Sequence, residues 1–165
     1  MIEDEDLLLA VLNSAPVVKG VRTDQLEGPE GDELVGRFGG LGTGVERSHL
    51  RGARDALHAL LRAEADAAEA LAPTLSEVAL TPTATVGGIQ WQLDAPDDRR
   101  LAARVVLAWS RVADELPGRL RACANSECNL FLLDHSRPGT AKWCSMAACG
   151  NRMKARTYAR RDRRS

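Results

Sequence analysis

The chain has 165 residues, 44% hydrophobic and 27% charged, a composition that excludes a disordered or fibrous chain and is typical of a soluble globular protein. Its apolar stretch Leu7–Leu12 is too short to span a bilayer, and its acidic start differs from the basic start of a secretory signal, so we expect a cytoplasmic protein without a membrane partner. The net charge of −1 conceals two unlike parts, because residues 1–118 carry 11 basic and 20 acidic side chains whereas residues 119–165 carry 11 and 3.

Helices are predicted throughout the first half of the chain. The stretch EDLLLAVLNSAP predicts a short apolar helix that ends before Pro16, and GDELVGRFGG predicts a shorter helical turn. Thr43 and Glu46 have the spacing of a capping box, in which the two side chains bond each other's backbone amides. A helix therefore follows through about Ala72, and its apolar side is formed by Leu50, Leu57, Leu60, Leu61, Ala68 and Leu71.

The segment LTPTATVGGIQWQLDA changes from a helical period to a period of two. Ile89, Trp91 and Leu93 alternate with two glutamines, which is typical of a strand. Gly87-Gly88 supplies two residues that adopt positive φ without strain, as tight turns require. The segment therefore predicts a β-hairpin that turns at the two glycines.

One long helix links the hairpin to the basic part. After the acidic segment DAPDD, apolar residues recur at three- and four-residue spacing through Leu116. Pro117-Gly118 then stops or bends this helix where the charge changes sign. We expect an α+β chain with two domains: residues 1–118, mainly α-helical with one β-hairpin, and residues 119–165, a small four-cysteine module with a β-hairpin and a basic C-terminal helix. The first part, residues 1–116, is expected to fold alone.

All four cysteines lie in the basic part, in the pattern C-x4-C-x15-C-x4-C. Two pairs with a connector of this length are typical of zinc modules, because each pair places two thiolates on one ion and the second pair completes a tetrahedron. Two disulfides are disfavoured without a secretory signal, and a redox dithiol is disfavoured because no C-x-x-C lies beside a βαβ pattern. We predict one structural Zn²⁺, with Cys123, Cys128, Cys144 and Cys149 as its ligands.

The module is too small to fold on apolar burial alone. The stretch NLFLLDHSRPGTAKWC predicts a short hairpin, with Phe131 and Leu133 on one side of its first strand and Pro138-Gly139 near its turn. Ser145 is placed to cap a helix that carries Cys149 in its first turns. Binding of zinc stabilises the folded state of such modules by about 10–16 kcal/mol of apparent free energy. We therefore expect this part of the chain to be unfolded without metal.

Basic side chains recur along the predicted last helix. Arg152, Arg156, Arg160 and Arg164 are four residues apart and therefore line one face. Like charges at this spacing repel, and a polyanion removes that cost, which favours a nucleic-acid backbone as partner. A solvated basic tail is the alternative. The candidate nucleic-acid contacts are Arg137, Lys142, Asn151, Arg152, Lys154, Arg156, Arg160 and Arg161, among which Asn151 and Arg152 are best suited to base edges.

Residues 119–161, with RACANSEC, NLFLLDHSR and KWCSMAACGNRMKAR, resemble the CGNR zinc finger family, which is named after the tetrapeptide at 149–152. The resemblance implies the four cysteines as ligands, a bacterial source and a DNA-binding regulator. In that family the finger follows an N-terminal domain called ABATE, which is associated with stress-induced regulation of transcription. The N-terminal likeness is weaker here, since the expected LDFVNT-like start is LLAVLNSA.

The remaining histidines and tryptophans carry less information. His49 and His58 lack a metal-ligand spacing and are expected at the surface or at its boundary, and His135 is not needed as a ligand beside four thiols. Trp91 and Trp109 are more typical of core positions than of a small-molecule pocket.

No Ser/His/Asp, Cys/His or paired-carboxylate arrangement indicates catalysis, so we expect no enzyme. We expect a zinc-dependent regulator that binds double-stranded DNA, while its N-terminal domain senses a small-molecule effector or forms a homodimer. Two alternatives stay open: a zinc module that docks an acidic protein partner, and an RNA-binding protein.

Overall fold

The computed structural model describes residues 2–162 and has the predicted α+β architecture. Within those residues no helix is long and apolar enough to cross a membrane. The helices are α1 (Ile2–Leu12), α2 (Pro29–Arg37), α3 (Gly44–Leu61), α4 (Ala72–Leu75), α5 (Asp97–Glu115) and α6 (Asn151–Asp162), with a 3-10 turn at Glu69–Leu71 before α4 and a π-helical turn at Met146–Gly150 before α6.

The strands pair locally, each with its neighbour in the chain. Three antiparallel two-stranded sheets form within the described part of the chain. They are β1 (Val17–Val18) with β2 (Val21–Arg22), β3 (Ala79–Thr85) with β4 (Gly88–Asp94), and β5 (Leu120–Ala122) with β6 (Phe131–Leu133).

The core lies where α1, α3 and α5 pack together. Each helix directs its apolar side inward, as the spacing of its leucines and valines predicts. Burying one such side chain contributes about 1.5–3 kcal/mol. The large apolar side chains that are fully buried are Leu7, Leu8, Val11, Leu12, Leu26, Val35, Leu50, Leu57, Leu101, Val105 and Phe131.

Helix α3 begins as predicted but ends earlier. Thr43 Oγ1 accepts a hydrogen bond from the Glu46 amide at 3.1 Å, as predicted. The Glu46 carboxylate accepts from the amides of Leu41 and Gly42 and not from the Thr43 amide. The expected continuation to Ala72 is wrong, because α3 ends at Leu61. Residues 62–66 are exposed, and Ala63 and Asp66 both have a positive φ of +57°, which does not continue an α-helix.

The β3–β4 hairpin is present but turns one residue earlier than predicted. Thr85 pairs with Gly88, so Val86 and Gly87 form the loop and Gly88 takes the positive φ of +117°. Trp91 is not a core residue, since 62% of it is exposed. The hairpin projects from the core, and its apolar side chains share one face because they alternate along each strand: Leu80, Pro82, Ala84, Ile89, Trp91 and Leu93.

The second hairpin differs from the predicted one. Strand β6 pairs with β5, which precedes the first cysteine, and not with the residues after Gly139. Ala122 lies opposite Phe131, and Leu120 lies opposite Leu133. The first cysteine pair therefore occupies the loop that joins β5 and β6.

Candidate metal centre

Four cysteine side chains converge at the end of the β5–β6 hairpin. Their Sγ atoms all lie within 4.8 Å of one another, and none forms a disulfide. Cys128 Sγ lies 3.7 Å from Cys144 Sγ, which lies 3.8 Å from Cys149 Sγ. Zinc–sulfur bonds of about 2.3 Å give a tetrahedron with edges of about 3.8 Å, so the spacing fits Zn²⁺. The four cysteines form one closed, structural zinc site.

Backbone hydrogen bonds bring the two cysteine pairs together. The Cys123 amide donates to Leu130 O and the Cys128 amide to Asn125 O, each at 2.8 Å, which folds the loop between the strands into a compact turn. The Ala124 amide donates to Lys142 O at 2.8 Å. This bond joins the first cysteine pair to the segment before Cys144. The backbone therefore holds the second cysteine pair close to the first.

Asn125 is a site residue that the sequence analysis missed. It is fully buried, its Oδ1 accepts from the Glu127 amide, and its Nδ2 donates to Cys149 Sγ at 3.4 Å. The Cys144 amide similarly faces Cys123 Sγ at 3.5 Å. Donors of this kind stabilise thiolate ligands. The only signal in the sequence is an asparagine inside the first cysteine pair.

The thiols have unequal acidities. Burial raises the pKa of Cys128 and, more strongly, that of Cys144, where the neighbouring thiols add to the effect. Burial also opposes ionisation of Cys149, but the hydrogen bond from Asn125 and the adjacent thiols together lower its pKa. Since metal ligation requires thiolates, binding zinc releases protons from this site.

The turn that carries Cys149 has a glycine beside it, which lies close to two neighbouring side chains. Ser145 caps this turn, and its Oγ accepts from the Ala148 amide at 3.4 Å. A Cβ on Gly150 would lie 2.7 Å from Met146 Sδ and 3.2 Å from Trp143 Cδ1. The predicted cap and the placement of Cys149 in the first turns are confirmed, whereas the π-helical form of the turn was not anticipated.

Asp134 fixes the connector between the two cysteine pairs. Its carboxylate accepts from the amides of Ser136 and Ala141, both at 2.9 Å, and from Arg121 Nη2 at 2.6 Å. The Ser136 hydroxyl, these amides and Arg121 hold the pKa of Asp134 at about 2 although burial opposes ionisation. Asp134 therefore stays ionised and closes the loop that the sequence interpreted as a second strand.

The zinc-binding segment also completes the N-terminal core. Phe131 is 1% exposed and belongs to the core cluster, with its ring 4.6 Å from that of His58. Asn13 bonds both backbone groups of Phe131, at 2.8 and 3.2 Å, as a neighbouring strand does. The Asn129 side chain donates to Ala15 O at 2.9 Å. These contacts give the two parts of the chain a shared interior.

One of the three histidines, His58, is placed differently from expectation. His58 is buried rather than at the surface, and its Nε2–H donates to Leu12 O at 2.8 Å. His49 is half-buried and lies 3.7 Å from Asp98. His135 is exposed and contacts Glu5, so it lies away from the thiols.

The buried imidazole gives a testable pH dependence. Burial lowers the pKa of His58 to about 4, and the positive charges of three arginines, Arg22, Arg54 and Arg62, add to this effect. The unfolded chain takes up this proton near pH 6.5 and the folded chain only near 4, so stability falls as the pH drops between them. We expect the zinc-loaded chain to lose about 1–2 kcal/mol between pH 7 and 5 in urea unfolding.

The variant His58→Gln should flatten this profile, since it leaves nothing to protonate at that position. His49→Gln is the matched control because that ring is partly exposed. Parallel losses of stability in the wild type and in His58→Gln would contradict the assignment.

The candidate nucleic-acid contacts are distributed around the finger. Asn151, Arg152 and Lys154 are exposed in the first turn of α6, and Arg137 and Lys142 are exposed in the connector. Arg156 forms an ion pair with Glu127, Nη2 to Oε2 2.7 Å. The positions of Arg160 and Arg161 are within α6, whereas Arg164 lies outside the described residues.

Comparison with known proteins identifies the second part of the chain. Residues 119–162 match the model of the CGNR zinc finger family. The match contains all four cysteines. No curated protein matches the chain. The likeness of the N-terminal part to an ABATE domain stays a prediction.

Proposed function

We propose that this chain, whose residues 119–162 form a CGNR zinc finger, is a zinc-dependent transcription regulator that binds double-stranded DNA through α6. The observation that carries the proposal is the exposed basic start of α6 beside a metal ligand. Asn151 and Arg152 follow Cys149 by two and three residues. A zinc ion at Cys149 fixes the backbone there, which limits the entropy lost when these side chains meet a base edge.

The surface of α6 suits a groove of DNA. All of its described side chains except the half-buried Met153 are exposed. A helix with its side chains is about 10–12 Å wide, close to the width of the major groove. Arginine pairs with guanine and asparagine with adenine in two-pronged fashion, so Arg152 and Asn151 supply both kinds of readout.

The charge distribution supports a polyanionic partner. Residues 119–165 carry 11 basic and 3 acidic side chains, whereas residues 1–118 carry an excess of acidic side chains. Phosphate contacts by arginine and lysine release counterions and supply much of the affinity for DNA. We propose that the acidic N-terminal domain is the regulatory part, which responds to stress through an effector or through homodimerisation.

RNA is the second candidate ligand, favoured by two aromatic residues, one within α6 and one that precedes it. Trp143, Lys154 and Tyr158 line one cavity, and Tyr158 is 68% exposed. Unpaired bases stack on such side chains, with about 1–3 kcal/mol for each base. An acidic protein partner is the third, since the same positive charge would attract it.

An equilibrium competition separates these candidates. The zinc-loaded full chain is titrated into a labelled mixed-sequence duplex, with structured RNA and polyglutamate as competitors. We expect the duplex to bind most tightly and the affinity to fall steeply with salt. Arg152→Ala should weaken binding, whereas Arg37→Ala, an equal charge change at an exposed position of α2, should not. Preferential displacement by RNA or by polyglutamate would favour the corresponding alternative.

The Arg156–Glu127 ion pair competes with any phosphate that Arg156 contacts. Both side chains are about half exposed, so the pair is weak and can open. We expect Glu127→Gln to raise duplex affinity about 3–10-fold at low salt, because it frees Arg156 and removes one negative charge. The charge-matched control is Glu69→Gln, because Glu69 is an exposed acidic residue within residues 1–118.

The salt dependence provides the diagnostic readout for this pair. The logarithm of the binding constant falls linearly with the logarithm of the salt concentration. Arg156→Ala should reduce the slope of this line by about one unit, in both the wild type and the Glu127→Gln background. Equal affinities for the wild type and Glu127→Gln, with zinc content unchanged, would show that Arg156 does not reach the DNA.

A further inference from the structure

A groove with a cavity volume of about 540 Å³ runs along α5, beneath the β3–β4 hairpin and beside the start of α1. Cavities of about 300–1,000 Å³ are typical of small-molecule sites. The lining residues of α5 recur every three or four positions, so they form one stripe along the helix: Arg100, Arg104, Leu107, Arg111 and Asp114.

The walls of this groove include an aromatic surface that the fold leaves uncovered. Trp91 is 62% exposed and Leu80 43%, although both lie on the apolar face of the hairpin. Leu93 and Leu107 extend this surface into the groove. An indole face beside aliphatic side chains accepts a flat apolar molecule, since such contacts add to the burial of area.

Positive charge is concentrated in the middle of the groove. Asp4 is the shared partner of two guanidinium groups, at 3.1 Å from Arg104 and 3.5 Å from Arg111. One carboxylate therefore balances two positive charges. Two further acids, Asp114 and Glu115, follow Arg111 by three and four residues, so they lie within one helical turn of it at the end of α5. One anionic group therefore fits beside Arg111 only on the side away from these acids, and a second at the far end is disfavoured.

We propose that the groove is a binding site for a small planar apolar molecule with a single anionic group, such as an aromatic carboxylate. The ring lies against Trp91 and Leu107, and the carboxylate accepts from Arg111, whose side chain is 43% exposed. Arginine suits this role because its planar guanidinium bonds a carboxylate with two parallel donors. The site does not depend on the proposed DNA binding.

Calorimetric titration of the zinc-loaded chain with 2-naphthoate tests the site, with 2-naphthalenemethanol as the uncharged analogue. We expect saturable binding of one naphthoate, and about tenfold weaker binding of the alcohol. Trp91→Ala and Arg111→Gln should each weaken naphthoate binding by about five- to tenfold, whereas Trp91→Phe should retain most of it. The matched control is Ile89→Ala, because Ile89 is 59% exposed on the same hairpin face and lies outside the groove.

Several outcomes overturn the proposal. Absence of saturable naphthoate binding, equal binding of the alcohol, or an equal loss in Ile89→Ala and Trp91→Ala would each do so. A dimer in sedimentation that both of these alanine variants dissociate would show that a second copy covers the hairpin face. Circular dichroism and zinc content of each variant establish that it is folded.

Discussion

We expect removal of zinc to unfold residues 119–162 and to weaken the core formed by α1, α3 and α5. The β5–β6 hairpin has three residues in each strand, and the two cysteine pairs are joined by single hydrogen bonds such as that of the Ala124 amide to Lys142 O, so the metal is the strongest link between the four thiols. Structural zinc contributes about 10–16 kcal/mol in isolated fingers, comparable with the whole stability of a domain. We therefore expect chelation to abolish protection of the finger amides in hydrogen exchange and to lower the unfolding midpoint of the remaining chain.

The variant Cys149→Ser should reproduce this effect, because it replaces one sulfur ligand. Ser126→Ala is the matched control, since Ser126 is exposed in the β5–β6 loop, which carries the first cysteine pair, and is not itself a ligand. Elemental analysis should find one zinc per chain in the wild type and in the control. Full amide protection in the metal-free chain would contradict the structural role of the ion.

Replacement of Phe131 by alanine has the second-largest expected effect. The ring is 1% exposed, packs against His58, and has Arg62 4.8 Å above its centre. Phenylalanine-to-alanine changes in cores cost about 3–5 kcal/mol, because they lose buried area and leave a cavity. We expect a loss of this size in urea unfolding of the zinc-loaded chain, in a single cooperative transition.

Two further variants show whether the loss of stability in Phe131→Ala comes from the cavity in the core. Phe131→Leu should cost much less, because it refills most of the cavity. Ile89→Ala, on the exposed hairpin, should be nearly neutral. A loss below about 1 kcal/mol in Phe131→Ala would show that the two parts do not share a core. The sequence predicts that residues 1–116 fold alone, but without Phe131 we expect that fragment to be destabilised by a similar amount.

Local patterns were sufficient to predict much of this structure. The three- and four-residue spacing of apolar side chains in α1, α3 and α5 reflects burial on one side of each helix. The zinc ligands were predictable because the geometry of a tetrahedral site constrains their spacing. Thr43 and Ser145 were also predictable as caps, because a cap bonds backbone amides within one helical turn of itself.

Contacts between distant residues were not predictable. Phe131 and Leu133 do form a strand, but its partner lies before Cys123, because the metal-binding loop joins the two strands. The contact of Asn13 with Phe131 spans 118 residues and has no local signature. Trp91 has the alternation of a half-buried strand, yet no element covers the hairpin face in the described part of the chain.

Selection of bound duplexes from a random pool tests the central claim most directly. The zinc-loaded full chain is used beside Arg152→Ala, with matched zinc content and helicity. We predict a shared short site for the wild type, and a loss of preference at one base pair, worth about 1–3 kcal/mol, for Arg152→Ala. Recovery of no shared site by the zinc-loaded wild type would contradict sequence-specific regulation through α6.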